Sequence, residues 1–258
     1  MRPERGLCQS ARPAAARTAF SSKALSQSLR RAFVVIHAIT LTLCAGVAAS
    51  AQPGSRTVAE DPREDTQFWH ETQIIFPMRD PVDLMLFGVL RMGRDLARPV
   101  DERGGAGVAF KTNKILTIIP TWLYVAQQPT ATRKNIEHRL IFNATFKFPL
   151  GKFAFTDRNL VERRLRNGRD DFTMYRNRLQ IDHPARIGSF KFRVFVADEV
   201  WYDSLQNLWV RNRASAGVIK QFSRRFAAEF FYLRQNDGRA RPGDAHVIGT
   251  LFRFYPME

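Results

Sequence analysis

The sequence predicts an all-β fold: an antiparallel transmembrane β-barrel of 10 to 12 strands behind a cleaved signal peptide. Between Ile136 and Phe148 every second residue is apolar or nearly so, namely Ile136, His138, Leu140, Phe142, Ala144, Phe146 and Phe148. The intervening Glu137, Arg139, Ile141, Asn143, Thr145 and Lys147 are almost wholly polar. A period of two places the two sets on opposite faces of a strand. Similar segments recur to the C-terminus, mostly ten or more residues long. That exceeds the ~5–6 usual in soluble sheets and matches the ~9–11 a tilted strand needs to cross a bilayer. An export signal in front of such segments points to a bacterial outer membrane, with apolar side chains outside and charges inside.

Residues 1–51 read as the signal. Arg2, Arg5, Arg12, Arg17, Lys23, Arg30 and Arg31 stand against Glu4, and Ala32 to Ala49 carries no charge. Ala49-Ser50-Ala51 before Gln52 fits the small-x-small rule of signal peptidase. Three competing readings are weaker. Cys44 as a lipidated cysteine lacks the small residue before it, since Leu43 stands there. Arg30-Arg31 resembles a twin-arginine signal, but a barrel crosses the inner membrane unfolded. A retained anchor conflicts with the cleavage site and with a stretch short of ~20 residues. The basic region is long for a signal, which fits a misassigned start.

Cys8 and Cys44 both fall in this segment, so the mature chain holds no disulfide or thiolate metal site. Seven of the 40 Lys and Arg residues and one of the 24 acidic residues are removed with it, which leaves a net charge of +10. An exported chain seldom meets nucleic acid, so lipopolysaccharide phosphates, anions in a lumen or a solvated charged surface account for the excess. Gln52 to Asp65, polar with Pro53, Gly54 and Pro62, reads as a flexible lead-in, and 66–258 as one barrel domain.

The strands follow in order. Thr66 to Phe76 opens the wall, and Asp83 to Met92, apolar on both faces, also fits a short helix. Arg103 to Thr112 and Ile115 to Ala126 come next, the latter with Trp122 and Tyr124 as interface aromatics. Asn135 to Phe148 is the alternating strand already described. In Lys152 to Arg163 the residues Asp157, Asn159 and Arg163 share the parity of Phe153 and Phe155, which requires either a bulge or a position beyond the membrane band. Phe172 to Ile181 follows. Ser189 to Trp201 turns Phe190, Phe192, Val194 and Val196 outward and ends on Trp201 and Tyr202, read as a second aromatic pair at the interface. Leu208 to Gln221 gives Leu208, Val210, Ala214, Ala216 and Val218 to lipid. Arg225 to Leu233 gives Phe226, Ala228, Phe230 and Tyr232, and Ala245 to Tyr255 gives Ile248, Phe252 and Phe254.

Connections alternate between compact ones (Pro149 to Gly151, His183 to Gly188, Ser223 to Arg224) and long polar ones (Gln127 to Lys134, Arg164 to Asp171, Arg234 to Asp244). Outer-membrane barrels have short periplasmic turns and longer outer loops, so the C-terminus falls in the periplasm. Eleven candidates conflict with the even numbers of bacterial single-chain barrels. Either Thr66 to Phe76 lies outside the wall, or one strand is missed.

The inner face collects Glu137, Arg139, Arg158, Glu162, Arg176, Arg178, Lys191, Arg193, Glu199, Arg211, Arg213 and Glu229. An Arg or Lys facing lipid at mid-depth costs roughly 2–4 kcal/mol, so these line the lumen. They form either a salt-bridged filling of a narrow barrel or a solute path favouring small anions.

Asp157-Arg158-Asn159 with Glu162 and Arg163, then Tyr175-Arg176-Asn177-Arg178, Asp198-Glu199-Val200-Trp201-Tyr202 and Arg211-Asn212-Arg213 before Gly217 resemble the uncharacterised outer-membrane β-barrel family called domain of unknown function 2490. Phe68-Trp69 and the strand His246 to Phe254 look like its ends, so the resemblance covers about Thr66 to Pro256. It implies a barrel of this kind and location, without substrate or mechanism. One departure is the overhang Pro256-Met257-Glu258 after Tyr255, where such barrels end on an aromatic residue.

A catalytic reading finds little. His138 falls on the lipid face and His183 beside Pro184 in a turn, and neither a Gly-x-Ser-x-Gly elbow nor a His-Glu-x-x-His spacing occurs. The expectation is a non-enzyme without cofactor. Its partners are outer-membrane lipids and lipopolysaccharide, the barrel-insertion machinery and a small anionic solute, and no nucleic acid. The expected function is a small-solute channel or transport barrel with an Arg-rich lumen; a closed structural or surface barrel with a salt-bridged interior and a lipid-modifying outer-membrane enzyme are the alternatives. A soluble periplasmic β-sandwich is the alternative fold.

Overall fold

A computed structural model of the chain describes residues 62–131 and 134–256. The predicted signal, both cysteines and residues 52–61 of the lead-in lie outside the described residues. Eleven strands follow one another with no helix among the described residues: β1 (Glu64–Arg79), β2 (Val82–Gly93), β3 (Arg98–Lys111), β4 (Leu116–Gln127), β5 (Asn135–Leu150), β6 (Phe153–Arg166), β7 (Phe172–Ile187), β8 (Phe190–Asp203), β9 (Leu208–Ser223), β10 (Phe226–Asp237) and β11 (Asp244–Phe254). They close into a single barrel in which each strand pairs with its sequence neighbours and β1 pairs with β11. One closed sheet replaces the two-sheet sandwich, and all strands but the closing pair run antiparallel.

The strand count settles at eleven, and neither expected way to an even number holds. Thr66 to Phe76 lies inside β1, a full member of the wall. An odd count makes the first and last strands run the same way. The barrel therefore closes through a parallel seam, in unbroken register from Glu64 opposite Asp244 to Ile74 opposite Phe254. Parallel ladders accept the same backbone donors with slanted bonds, so no edge remains open. A further consequence is that the wall begins at one rim and ends at the other. Asp83 to Met92, which also fitted a helix, is strand β2 because it completes the ladders of β1 and β3.

Connections at one rim are short: residues 80–81, 112–115, 151–152, 188–189 and 224–225. Those at the other are longer on average: 94–97, 128–134, 167–171, 204–207 and 238–243. Gly151 and Gly188 adopt left-handed φ of 62° and 57° in two of the tight turns, a conformation that L side chains rarely take. His183 is not in a turn. β7 runs on to Ile187, and His183 packs its ring 5.0 Å from that of Phe153 across the strands.

Burial divides the faces. On β5 the outward Leu140, Phe142 and Phe148 are exposed and the inward Glu137 and Arg139 are buried. Such a surface is inverted relative to a soluble protein, whose large exposed apolar area would be a liability. Trp122 and Tyr124 face outward as expected, stacking with and edging onto His138. Trp201 does not. Adjacent strand residues point to opposite faces, so with Tyr202 outside, Trp201 turns inward and is 2% exposed. A register shift places Trp201 opposite Arg211 but Tyr202 opposite Trp209. The extra residue, Val210, packs inward on the Phe172, Met174 and Trp201 cluster rather than against lipid.

Candidate functional site

The inner wall of β5 to β9 brings the predicted lumen charges together around two carboxylates. Glu162 on β6 is fully buried and receives Arg176, Arg164 at 3.0 Å and Arg139 at 3.7 Å. Glu199 on β8 receives Arg176 at 2.7 Å, with Arg158 and Arg213 each at 3.4 Å. Arg176, on the strand between them, reaches both carboxylates with its two terminal nitrogens. Glu137 supports Arg139 at 2.7 Å, and the Arg213 Nε donates to Gln235 at 2.9 Å. The planar five-donor guanidinium suits such bridging, where a lysine ammonium would not.

Trp201 lies beneath this layer. Guanidinium carbons of Arg176, Arg213, Arg211 and Arg164 stand 3.9, 4.5, 4.8 and 5.6 Å from its ring centre. The negative face of the indole lowers the repulsion among cations crowded into a narrow lumen. Arg213 also lies 4.7 Å over Trp69 on β1, whose ring is covered at 3.7 Å by Arg91 of β2. The two aromatic rings, on β1 and β8, are thus joined through one shared arginine, Arg213.

The remaining inward charges form smaller sets. Arg211 binds Asp237 at 2.6 Å, Arg253 binds Glu229 at 3.2 Å, and Arg193 binds Asp182 at 3.0 Å. Arg178 shares the inner face of β7 and lies 5.9 Å from the Phe195 ring centre. Arg158 joins the network only through Glu199. Asp101 on β3 takes Arg103 at 2.5 Å and Arg91 at 3.4 Å, with Gln127 donating at 2.7 Å. Sequence reasoning missed this last set and also Arg164, Asp182, Asp237 and Arg253. Arg164 was accessible from its i+2 spacing to Glu162. The β2 and β3 charges were hidden because Gly104, Gly105 and Gly107 interrupt the alternation there.

The burial of the inward side chains differs from level to level. Glu162, Arg139 and Trp201 are 0%, 1% and 2% exposed. Toward the short-turn rim the side chains of Arg193 and Lys111 are about half exposed, at 47% and 52%. A half-exposed level toward the short-turn rim, a vestibule, thus adjoins a level of fully buried side chains. Among the described residues no cluster of His, Cys, Asp and Glu has the grouping to hold a metal ion.

The residues that broke the parity of β6 stay outside. No register shift occurs along β6, and Asp157, Asn159 and Arg163 face outward.

The family described as Protein of unknown function (DUF2490) matches residues 66–246. No curated protein matches the chain. A solved structure, the anion-selective porin from Comamonas acidovorans, is similar at 11% identity with a TM-score of 0.36, over 68% of this chain and 54% of that one. The chain thus spans about half the length of that porin.

Proposed function

This chain belongs to the DUF2490 family, and from that premise and the site we propose an outer-membrane barrel whose lumen is sealed by an arginine–carboxylate plug, a closed structural or surface barrel. The solvent inaccessibility of Glu162, Arg139 and Trp201 carries the reading. These side chains come from β6, β5 and β8 on one side of the wall, and Arg213 of β9 carries the contact across the lumen to Trp69 on β1. An ion crossing this level would have to displace paired charges that have no water to replace their partners.

The outer membrane suits the inverted surface. Strands of 11 to 16 residues exceed the span a tilted strand needs. With the longer connections outward, β11 ends at the periplasmic rim and β1 begins at the outer one. Lipids and lipopolysaccharide are then the immediate neighbours, the insertion machinery is a transient partner, and the barrel acts without catalysis or cofactor.

A gated anion route is the second reading. The half-exposed Arg193 and Lys111 in the vestibule favour it, since they would draw anions up to the plug. Chloride flux into liposomes holding the refolded barrel tests the choice. Flux equal to that of protein-free liposomes supports the closed barrel, and fast flux overturns it.

A further inference from the structure

The outer wall of β6 to β9 carries a patch that neither lipid contact nor the lumen explains. Register places the outward residues in three rows. Asp157, Leu179, Asp198 and Ala214 form one; Asn159, Asn177, Val200 and Asn212 the next; and Val161, Tyr175, Tyr202 and Trp209 the third, nearest the long connections. Two carboxylates and three amides thus lie side by side on the outside of a barrel whose outward residues on these strands toward the short turns are apolar except for Lys220 and His183.

The polar groups are held in place by one another. Asn177 donates to Asp157 at 2.7 Å and to Asn159 at 3.2 Å, Asn159 donates to Asp157 at 3.0 Å, and the Tyr175 hydroxyl donates to Asn159 at 2.6 Å. Asn212 donates to Asp198 at 2.7 Å. These bonds use only part of the capacity of two carboxylates and three amides. Above them Trp209, 61% exposed, is edged by Tyr175 and Tyr202 with ring centres 6.3 and 5.4 Å away.

An exposed, braced indole beside fixed amides and carboxylates is the chemistry that recognises a sugar. The ring face packs on the C–H face of a pyranose, while the amides and carboxylates bond its hydroxyls. Phosphate is a poor fit, because the three rows hold two acids and no Arg or Lys, and the bordering Arg234 and Arg163 are already paired with Glu64 and Asp171. We propose that this patch is a carbohydrate-recognition surface for unphosphorylated sugars of the lipopolysaccharide standing beside the barrel. The choice of lipopolysaccharide rests on the outer-membrane reading above. The patch runs from mid-strand, at Asp157 and Leu179, up to the aromatic row nearest the outer rim, and on the outer-membrane reading the apolar rows below it mark the lipid belt.

The test is calorimetric titration of the detergent-solubilised barrel with core oligosaccharide released from lipopolysaccharide, and separately with lipid A stripped of its core. Binding of the oligosaccharide, no binding of bare lipid A, and about tenfold weaker binding for Trp209→Ala and for Asn177→Ala are expected. Retained heat-modifiable migration on gels shows that each variant is folded. No binding of the oligosaccharide, or binding that both variants leave unchanged, overturns the proposal. A variant that converts a multi-copy barrel to a single copy by light scattering, without oligosaccharide binding in the parent, assigns the patch to self-association and also overturns it. Chloride flux reports on the plug independently, so a leaky barrel that binds oligosaccharide would sink the closed-lumen reading and leave this one standing.

Discussion

The guanidinium carbon of Arg176 lies 3.9 Å from the centre of the Trp201 ring, inside the barrel. The same guanidinium bridges Glu162 and Glu199. One side chain on β7 therefore couples β6 and β8 through two carboxylates while its flat face rests on an indole. Removing Arg176 therefore breaks two ion pairs and a stacked contact at once.

Replacing Arg176 by Ala removes the cation that two buried carboxylates share and leaves Glu162 to Arg139 and Arg164, and Glu199 to Arg158 and Arg213. Breaking a buried ion pair by deleting one partner costs about 3–5 kcal/mol. Urea titration of the refolded barrel, followed by heat-modifiable migration, should show a midpoint lowered accordingly. Arg176→Lys should fall between wild type and Ala, since an ammonium restores charge but neither the bridge nor the stacked face. Equal midpoints for all three would remove Arg176 from the plug.

Trp201→Ala removes the surface on which four guanidinium groups converge. Loss of a buried aromatic side chain costs roughly 3–5 kcal/mol. The vacated space should also admit water, so chloride flux should rise above that of the parent. A stable variant that stays closed would show the indole to be filler.

The parallel seam makes a positional prediction. With Cys8 and Cys44 replaced by Ser, the pairs Gln67→Cys with Val247→Cys and Thr72→Cys with Phe252→Cys should each cross-link on mild oxidation, because these residues are Cα partners. The exchanged pairs, Gln67→Cys with Phe252→Cys and Thr72→Cys with Val247→Cys, are five residues out of register. They stand about 16 Å apart along the strand and should not link. Linking of the exchanged pairs instead would mean that β1 runs the other way.

How much of this was legible depends on where the alternation is clean. Ile136 to Phe148 could be placed face by face because each outward position but His138 is apolar and the inward ones are charged, polar or, once, Ile141. Glu162, Arg176, Glu199 and Arg213 followed from the same count of two. Trp201 was misplaced because it was read with Tyr202 as an interface pair, although the count of two from Glu199 turns it inward, and Val210 because a one-residue bulge leaves no mark in composition. The parallel seam is a property of the whole count, so no local pattern announces it. Asp157 and Asn159 looked like a fault in β6, yet their partners Tyr175 and Asn177 were equally polar on the facing strand. Pairing two strands, rather than scanning one, exposes such a patch.

The orientation is open to direct labelling. An epitope placed between Gly238 and Gly243 should be reached by antibody on intact cells, whereas one between Arg224 and Arg225 should be reached only after the outer membrane is permeabilised. The reverse pattern would invert the barrel and move the sugar-facing patch to the periplasmic side.

The most direct measurement of the closed-lumen account is current across planar bilayers holding the refolded barrel, recorded in a salt gradient. The account predicts a silent wild-type barrel, with discrete openings appearing only once Trp201 or Arg176 is truncated. Steady anion-selective steps from the wild-type protein would contradict it and turn the arginine network from a plug into a pathway.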